Sequence, residues 1–280
     1  MMQKQPKLLS KIWVNKMSDK KRIVIKIGTS SLTYENGKIN LGKMEHLVRV
    51  VADLKNSGME VILVSSAAIA VGQNRLGLKD RPSETREKQA TAAVGQCDLM
   101  STYSRLFHEY GWNVAQILLT RDCIDNQHRR ENAVNTLECL LEMGALPIVN
   151  ENDTVAIEEI VFGDNDRLSA IVADLCSADM LIILTDTDGL YDSDPHKNPS
   201  AKLITEVDEI NDNIYDISGG AGTKRGTGGM YTKIEAAEYA TERGIDTVVM
   251  SGNDTMKIYD LLNGESVGTF FKSKRTDRNA

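Results

Sequence analysis

Short apolar runs alternate with stretches of helical periodicity along most of this chain, and this alternation limits the possible folds more than any other feature. Residues 22–27 (RIVIKI) are mostly β-branched and end at Gly28. The next apolar residues recur at helical spacing between Asn40, a candidate N-cap, and Gly58, a candidate stop. The pattern is typical of an α/β protein with a mainly parallel sheet and helices on both faces. It predicts strands at 22–27, 61–64, 114–118, 146–149, 157–162, 180–184, 247–250 and 267–271.

The composition is that of a globular protein and argues against nucleic acid or a membrane as partner. The hydrophobic fraction is 41%, the formal net charge is −7 and the pI is about 5.3, whereas a nucleic-acid binder usually carries a basic face. No apolar stretch is long enough to predict a transmembrane helix. Four cysteines lack C-x-x-C spacing, so we expect buried, reduced thiols and a cytoplasmic location. These cysteines are Cys97, Cys123, Cys139 and Cys176.

The chain shows no internal repeat and no linker of the kind that separates domains. We expect residues 1–20 to be an N-terminal extension outside the core, with Met17 as a second plausible start. Residues 21–272 are predicted to form one folded domain. Residues 273–280 are predicted to be a solvated basic tail.

A glycine-rich turn at 226–233 (GTGGMYTK) runs directly into a helical pattern. Glycines let a backbone approach a ligand closely, and a helix N-terminus directs N–H groups and a positive dipole end toward an anion. The turn is neither a Walker A loop nor a G-x-G-x-x-G fingerprint. Taken alone, it fits an anion site and a plain loop before a helix equally well.

Polar residues follow several of the predicted strands, and the carboxyl ends of parallel strands are where ligands collect in such sheets. These residues are Lys26, Ser66, 150–153 (NEND), 163–166 (GDND), Thr185 and Asp186. A lysine inside a buried strand is costly unless it meets a negative partner, although Lys26 directed to solvent is the alternative. Asp164 and Asp166 equally fit a helix N-cap.

The combination of two lysines, an anion loop and carboxylates, with no histidine in these segments, indicates a particular chemistry. Phosphorylation of a hydroxyl usually needs a base, but a carboxylate acceptor is already ionised at neutral pH. Catalysis would then rest on alignment and on positive charge around the transferring phosphoryl group. Lys26 and Lys233 suit that role as compact point charges.

From Arg22 onward, nearly the whole sequence resembles the glutamate 5-kinases of the amino acid kinase family. The segments that carry the resemblance are RIVIKIGTSSL, VILVSSAAIAVG, AAVGQ, ILLTRDC, LPIVNENDTVAIEEIVFGDNDRLSA, ILTDTDGLYDSDP, GTGGMYTK and ESVGTFF. The resemblance implies an αβα sandwich around a mainly parallel sheet, and ATP-dependent phosphorylation of the γ-carboxylate of L-glutamate, the first step of proline biosynthesis. It further implies Mg²⁺, proline as feedback inhibitor, a homo-oligomer (dimer or tetramer) and possible transfer of the product to glutamyl phosphate reductase.

Matched positions carry the family's residue roles onto this chain. The resemblance implies that Lys26 and Lys233 stabilise the transferring phosphoryl group and that Asp166 organises them. It implies that glutamate is held by Ser66, Asp153 and Asn165, with Asp164 nearby. It implies a nucleotide site formed by Lys26, Thr185, Asp186, Thr227, Gly228, Gly229, Met230, Tyr231, Thr232 and Lys233. No residue is assigned to a metal, since Mg²⁺ is expected to be held through the ATP phosphates.

Two departures from the family pattern are visible, and two alternatives stay open. Ala67 stands where many members have glycine, so its methyl group is expected to crowd the phosphoryl site or shift the loop. Many members also carry a C-terminal PUA domain, and this chain ends about where that domain would begin. The alternatives are another amino acid kinase, of the N-acetylglutamate kinase, aspartokinase or uridylate kinase type, and a catalytically silent sensor of nucleotide or amino acid.

Overall fold

The computed structural model describes residues 21–155, 165–195, 197–218 and 229–274. The strands are β1 (Arg22–Ile27), β2 (Glu60–Ser65), β3 (Val114–Leu119), β4 (Leu146–Glu151), β5 (Met180–Thr185), β6 (Glu206–Val207), β7 (Asp246–Ser251) and β8 (Thr269–Phe271). The helices are α1 (Thr29–Leu32), α2 (Leu41–Asn56), α3 (Ala68–Arg75), α4 (Thr85–His108), α5 (Asp122–Asp125), α6 (Gln127–Glu142), α7 (Asn165–Leu175), α8 (Asp212–Ile217), α9 (Met230–Glu242) and α10 (Lys257–Leu262).

The strands of the described residues form one sheet of eight in the order β3-β4-β2-β1-β5-β7-β8-β6. Neighbouring strands are parallel throughout, except that β7 and β8 are antiparallel. The predicted mainly parallel sheet is therefore confirmed. In this order β1 lies at the centre, between β2 and β5, so the carboxyl ends of three buried strands meet beside Gly28.

Alternation of side chains along β1 shows how the two faces of the sheet are used. Ile23, Ile25 and Ile27 belong to one apolar core, and Val24 belongs to the other. The first core packs α2, α4 and α10 on the sheet, and the second packs α6, α7 and α9 on the opposite face. The architecture is thus the αβα sandwich. Because successive strand side chains point to opposite faces, Lys26 lies on the face covered by α7 and α9.

Local chemistry explains where the helices begin and end. The Asn40 side chain accepts a hydrogen bond from the Lys43 N–H at 3.1 Å, which caps α2 at its N-terminus. Gly58 follows the helix with φ of +91°, a left-handed conformation that favours glycine. Both residues act as the sequence predicts.

The strand predictions differ from the structure in extent more than in position. β4 continues through Asn150 and Glu151, beyond the predicted end at 149. The two-residue strand β6 was not predicted, because Glu206 and Val207 are too few to give a pattern. The predicted strand at 157–162 lies outside the described residues.

The prediction of buried thiols is wrong for two of the cysteines. Cys176 is buried and Cys123 is partly buried, but Cys97 and Cys139 are exposed. Both exposed residues lie on the solvent side of otherwise core-packed helices, α4 and α6, where a short window of apolar neighbours does not show which side faces out. No helix of the described residues is long and apolar enough to cross a membrane.

Candidate active site

A buried aspartate joins the two lysines that the sequence singles out. Lys26 Nζ lies 2.5 Å from Asp166 Oδ1, and Lys233 Nζ lies 3.1 Å from Asp166 Oδ2. Asp166 is fully buried, and the lysines are 3% and 4% exposed. Lys26 therefore does not turn to solvent, and the solvent-directed alternative is wrong. Two lysine ammonium groups and one aspartate carboxylate are thus held together at the carboxyl end of β1.

The first turn of α9 brings Lys233 to this cluster. Thr232 Oγ1 lies 2.8 Å from both Asp166 Oδ2 and the Gly229 carbonyl oxygen, and Lys233 Nζ donates to the same carbonyl at 3.4 Å. Gly229 is the N-cap of the helix, and no atom of the described residues lies within 4 Å of the place where its Cβ would stand. The described part of the glycine-rich turn thus places a helix N-terminus next to the lysine and aspartate cluster, as an anion site requires.

The side-chain amide of Asn165 connects β2, β4 and α7. Its Nδ2 lies 3.1 Å from the Ser65 carbonyl oxygen, 2.9 Å from Ser66 Oγ and 2.8 Å from Asn150 Oδ1. Asn150 in turn donates from Nδ2 to Gln96 Oε1 at 2.8 Å. Ser66 and Asn165, both assigned to the substrate from the sequence, are therefore in direct contact.

Ala67 has φ of +91°, in the left-handed region where glycine is normally required. It is the N-cap of α3 and follows Ser66, whose N–H donates to the Ile27 carbonyl oxygen at 3.2 Å. The expected crowding of the phosphoryl site by the alanine methyl group stays a prediction, and the structure adds a strained backbone in the turn itself.

A cleft of about 1310 Å³ opens beside these residues. Ser66, Ala67, Asn165 and Asp153 line it. Burial raises the pKa of Asp153 from 3.8 to about 6, so this carboxylate is held in a setting that disfavours its charge. A cationic group bound next to Asp153 would relieve that cost. Further cleft residues come from α1, the loop after it, the loop before α4 and the start of α4, including Thr29, Tyr34, Arg81 and Lys88.

The remaining predicted nucleotide residues lie at two places. Thr185 is buried at the end of β5, and its hydroxyl donates to Asp186 Oδ1 at 3.0 Å, while Asp186 itself is exposed. In the first turn of α9, Met230 precedes Tyr231, which is 40% exposed and whose ring centroid lies 5.2 Å from that of Tyr215. Asp164, Thr227 and Gly228 lie outside the described residues.

Gln96 and Asn150 are two polar residues of this region to which the sequence gave no role, and the cleft residues Arg81 and Lys88 are two others. Asn150 stood among the polar residues after a predicted strand, and Gln96 stood in the AAVGQ segment, inside a helix with no sign of a partner. Their pairing across α4 and β4 depends on tertiary packing. Among the described residues, no group of three or more His, Cys, Asp or Glu side chains could hold a metal ion.

Comparison with known proteins places these features in a family. Residues 21–251 match the amino acid kinase family. The chain is 54% identical over 263 residues to a glutamate 5-kinase of Clostridium perfringens, covering 92% of this chain and 98% of that protein. It is 54% identical over 258 residues to a glutamate 5-kinase of Clostridium acetobutylicum, covering 92% and 97%. Among solved structures, a carbamate kinase from Giardia lamblia bound to AMP-PNP superposes with a TM-score of 0.64 at 17% identity, over 92% of this chain and all of that one.

Proposed function

This chain belongs to the amino acid kinase family, and we propose that it is an ATP-dependent kinase that phosphorylates the γ-carboxylate of L-glutamate to L-glutamyl 5-phosphate. The Lys26–Asp166–Lys233 cluster carries the assignment of phosphoryl transfer. The acceptor is supported by relatives named glutamate 5-kinase that match at 54% identity over nearly their full length. In this role the protein catalyses the first step of proline biosynthesis.

The chemistry needs charge and alignment more than a base. A γ-carboxylate oxygen attacks the γ-phosphorus of ATP, the new O–P bond forms as the bond to the β,γ-bridging oxygen breaks, and ADP leaves. The transferring group carries negative charge that Lys26 and Lys233 offset. Asp166 fixes both ammonium groups in one arrangement, so that little reorganisation is needed during the reaction.

The two substrates approach from opposite sides of this cluster. Ser66, Asp153 and Asn165 line the cleft and hold glutamate there, and the family resemblance assigns Asp164 to the same substrate. Thr185, Asp186 and the segment from Thr227 through Lys233 hold the nucleotide, with the N-terminus of α9 facing its phosphates. Mg²⁺ typically keeps several waters and binds through substrate phosphates. It would neutralise phosphate charge there.

A coupled assay tests the reaction. Purified protein with MgATP is expected to release ADP only when L-glutamate is present, and hydroxylamine is expected to trap the acyl phosphate as a hydroxamate. The same assay with N-acetylglutamate or aspartate in place of L-glutamate provides the matched comparison. Turnover with one of those acceptors in place of glutamate would reassign the enzyme within its family. Binding of ATP or glutamate without any turnover would show a silent sensor.

The cellular setting is also proposed. Four free thiols fit a reducing cytoplasm. A homo-oligomer (dimer or tetramer), feedback inhibition by proline and transfer of the labile acyl phosphate to glutamyl phosphate reductase follow from the family. A monomeric mass in solution would refute the first of these. Kinase activity unchanged by millimolar proline would refute the second, and an unaltered yield of reductase product when free acyl phosphate is scavenged would support the third.

A further inference from the structure

A chain of side-chain amides runs from α4 to the cleft. Gln96 Oε1 accepts from Asn150 Nδ2 at 2.8 Å, and Asn150 Oδ1 accepts from Asn165 Nδ2 at 2.8 Å. Gln96 and Asn165 are each 9% exposed and Asn150 is 3% exposed, so solvent competes little for these bonds. Each amide can therefore be held in one orientation by its neighbours.

Two backbone groups fix the direction of this chain. The Glu151 N–H, which can only donate, points at the Asn150 side chain at 2.9 Å, so the atom it meets must be Oδ1. The Ser65 carbonyl, which can only accept, faces the Asn165 side chain at 3.1 Å, so the atom it meets must be Nδ2. The two constraints agree, and the remaining Asn150 Nδ2 then requires an acceptor, which Gln96 supplies.

The direction of the chain decides what Asn165 offers to a ligand. Its Nδ2 is taken up by three protein oxygens, and its Oδ1 accepts no hydrogen bond from the part of the protein that the structure describes. Because Ser66 Oγ accepts from Asn165, the Ser66 hydroxyl proton stays available to a carboxylate. The cleft thus presents an acceptor at Asn165, a donor at Ser66 and a carboxylate at Asp153.

We propose that Gln96 is a positioning residue that locks the Asn165 amide with its oxygen toward the cleft, and thereby selects acceptors that carry an amino group. The proposal rests on the function proposed above and adds how the site reads the α-amino group of glutamate. Rotation of the Asn165 amide would present N–H donors to the substrate ammonium and leave the Ser65 carbonyl facing another oxygen. Gln96 opposes that rotation through Asn150.

The helix that carries Gln96 is itself held at a fixed distance from the substrate turn. A Cβ atom added to the adjacent Gly95 would lie 1.8 Å from the Ala68 carbonyl oxygen on α3. This close contact leaves α4 little freedom to move away from Ser66 and Ala67. The start of the amide chain is therefore set by backbone packing.

The test compares two ligands that differ only in the amino group. Glutarate has the five-carbon dicarboxylate skeleton of glutamate but no amine. Gln96→Met keeps the length of the side chain and removes its hydrogen-bond acceptor. The KM for L-glutamate is expected to rise about tenfold in this variant, because the free energy lost when the buried Asn150 amide has no acceptor corresponds to about that factor. The inhibition constant of glutarate and the KM for ATP should change less than about threefold. If the methionine variant does not fold, Gln96→Asn gives the same comparison, because its side chain is one methylene too short to reach Asn150.

Two further variants separate positioning from general loosening. Gln96→Glu keeps an oxygen acceptor for Asn150 and is expected to hold the KM for glutamate within about threefold of wild type. Tyr103→Phe removes a buried 3.1 Å hydroxyl contact to Ser65 Oγ from the same helix, outside the amide chain, and should alter neither glutamate nor glutarate binding.

Equal changes for glutamate and glutarate in Gln96→Met, or no change for either, would overturn the inference while the proposed function stands. A Gln96→Glu variant as poor as Gln96→Met would also count against it. Wild-type protein without glutamate-dependent turnover would remove the proposed function and this inference together.

Discussion

Asp166 shares its charge between two lysines, so neither ion pair can be removed without altering the other. Lys26 comes from a strand, Lys233 comes from a helix, and each contacts a different carboxylate oxygen. Deletion of one lysine would lower the positive charge beside Asp166 by one unit and leave a single ammonium group of the pair near the transferring phosphoryl group. The number of lysines, rather than the presence of one, therefore sets the electrostatic character of the site.

Lys233→Ala is accordingly expected to lose ~3 kcal/mol or more of transition-state stabilisation, seen as a fall in kcat of about 10²- to 10³-fold. The KM for glutamate should change only a few-fold, because other residues hold that substrate. Steady-state kinetics measure both constants, and Lys257→Ala, at an exposed position of α10, is the matched control. A kcat within a few-fold of wild type would show that the assigned role is wrong.

Asp153 links pH to both binding and stability. Its pKa is raised to about 6, so the charge that attracts an ammonium group is lost as pH falls through about 6. Below that value kcat/KM for glutamate is expected to fall about tenfold per pH unit. Measurement of kcat/KM between pH 5 and 8, at steps of about one pH unit, tests this expectation. A flat profile would contradict an ionised Asp153 in binding.

For folding, the sign is opposite to that of a salt-bridged carboxylate. Because the folded-state pKa exceeds the unfolded one, the contribution of Asp153 to stability is present below about 3.8 and is lost as pH rises through about 6. Asp153→Asn should therefore raise the unfolding free energy of the ligand-free protein by about 2 kcal/mol at neutral pH, after allowance for partial exposure. Near pH 4 the gain should be close to zero, as denaturant unfolding at the two pH values can show.

Ala67 is strained by its left-handed backbone at φ of +91°. Ala67→Gly removes that strain at the cost of greater freedom in the unfolded chain, so a net gain of roughly 0.5–1 kcal/mol is expected. Calorimetry should show a melting temperature about 1–4 °C higher. An equal or lower melting temperature would mean that the alanine methyl packs well enough to offset the strain.

At the scale of elements, α3 and α4 pack through two glycines. A Cβ atom on Gly72 would lie 1.9 Å from the Thr91 carbonyl oxygen, and one on Gly95 would lie 1.8 Å from that of Ala68. These distances are far below a normal van der Waals contact, and the atoms in the way are backbone. The helices must separate to admit even one methyl group.

Gly95→Ala is therefore expected to lower the unfolding free energy by about 3 kcal/mol and to raise the KM for glutamate, because Ser66 and Gln96 move apart. Gly42→Ala, in the exposed first turn of α2, where a Cβ atom would make only an ordinary contact with Asn40 Oδ1 at 3.6 Å, should instead raise stability by about 0.5–1 kcal/mol. Chemical denaturation compares the two variants. Equal effects would show that the close helix contact has no special cost.

The helices and strands differ in how far the sequence predicts them. Strand β1 and helix α2 can be predicted from hydrophobic periodicity and capping residues, because Arg22–Ile27 and the Asn40–Gly58 pattern are local signals. The reversed direction of β8 and the pairing of Gln96 with Asn150 depend on contacts between distant segments. The left-handed turn at Ala67 is invisible in the sequence itself, since alanine normally favours helix. The lysine and aspartate cluster was foreseeable because a buried lysine demands a negative partner.

At the scale of the molecule, the two ends of the strands have different roles. The site occupies the carboxyl ends of the strands, whereas Arg22 at the opposite end of β1 contacts Glu60 at 2.7 Å, Glu138 at 2.5 Å and the Cys176 carbonyl oxygen. Hydrogen bonds and charge from the two glutamates raise the pKa of Arg22, against the opposing effect of burial. One guanidinium thus joins β2, α6 and the end of α7.

Arg22→Met is expected to lower the unfolding free energy by about 2 kcal/mol, because two carboxylates and a carbonyl lose their common donor. The KM values for glutamate and ATP should stay within about twofold of wild type, since the change lies a whole strand length from the site. Thermal unfolding and steady-state kinetics on the same preparation test this separation. A large change in either KM would show that the two ends of the strands are coupled.

The central position of β1 also has a consequence for how the protein is made. Its neighbour β2 is the next strand to leave the ribosome, but its other neighbour, Met180–Thr185, emerges only after β3 and β4. At roughly 5–20 residues per second, the side of β1 that pairs with β5 waits about 8–30 s for its partner. The middle of the sheet is therefore completed after β3 and β4 have emerged, and Lys26 meets its carboxylate only after 140 further residues have been synthesised.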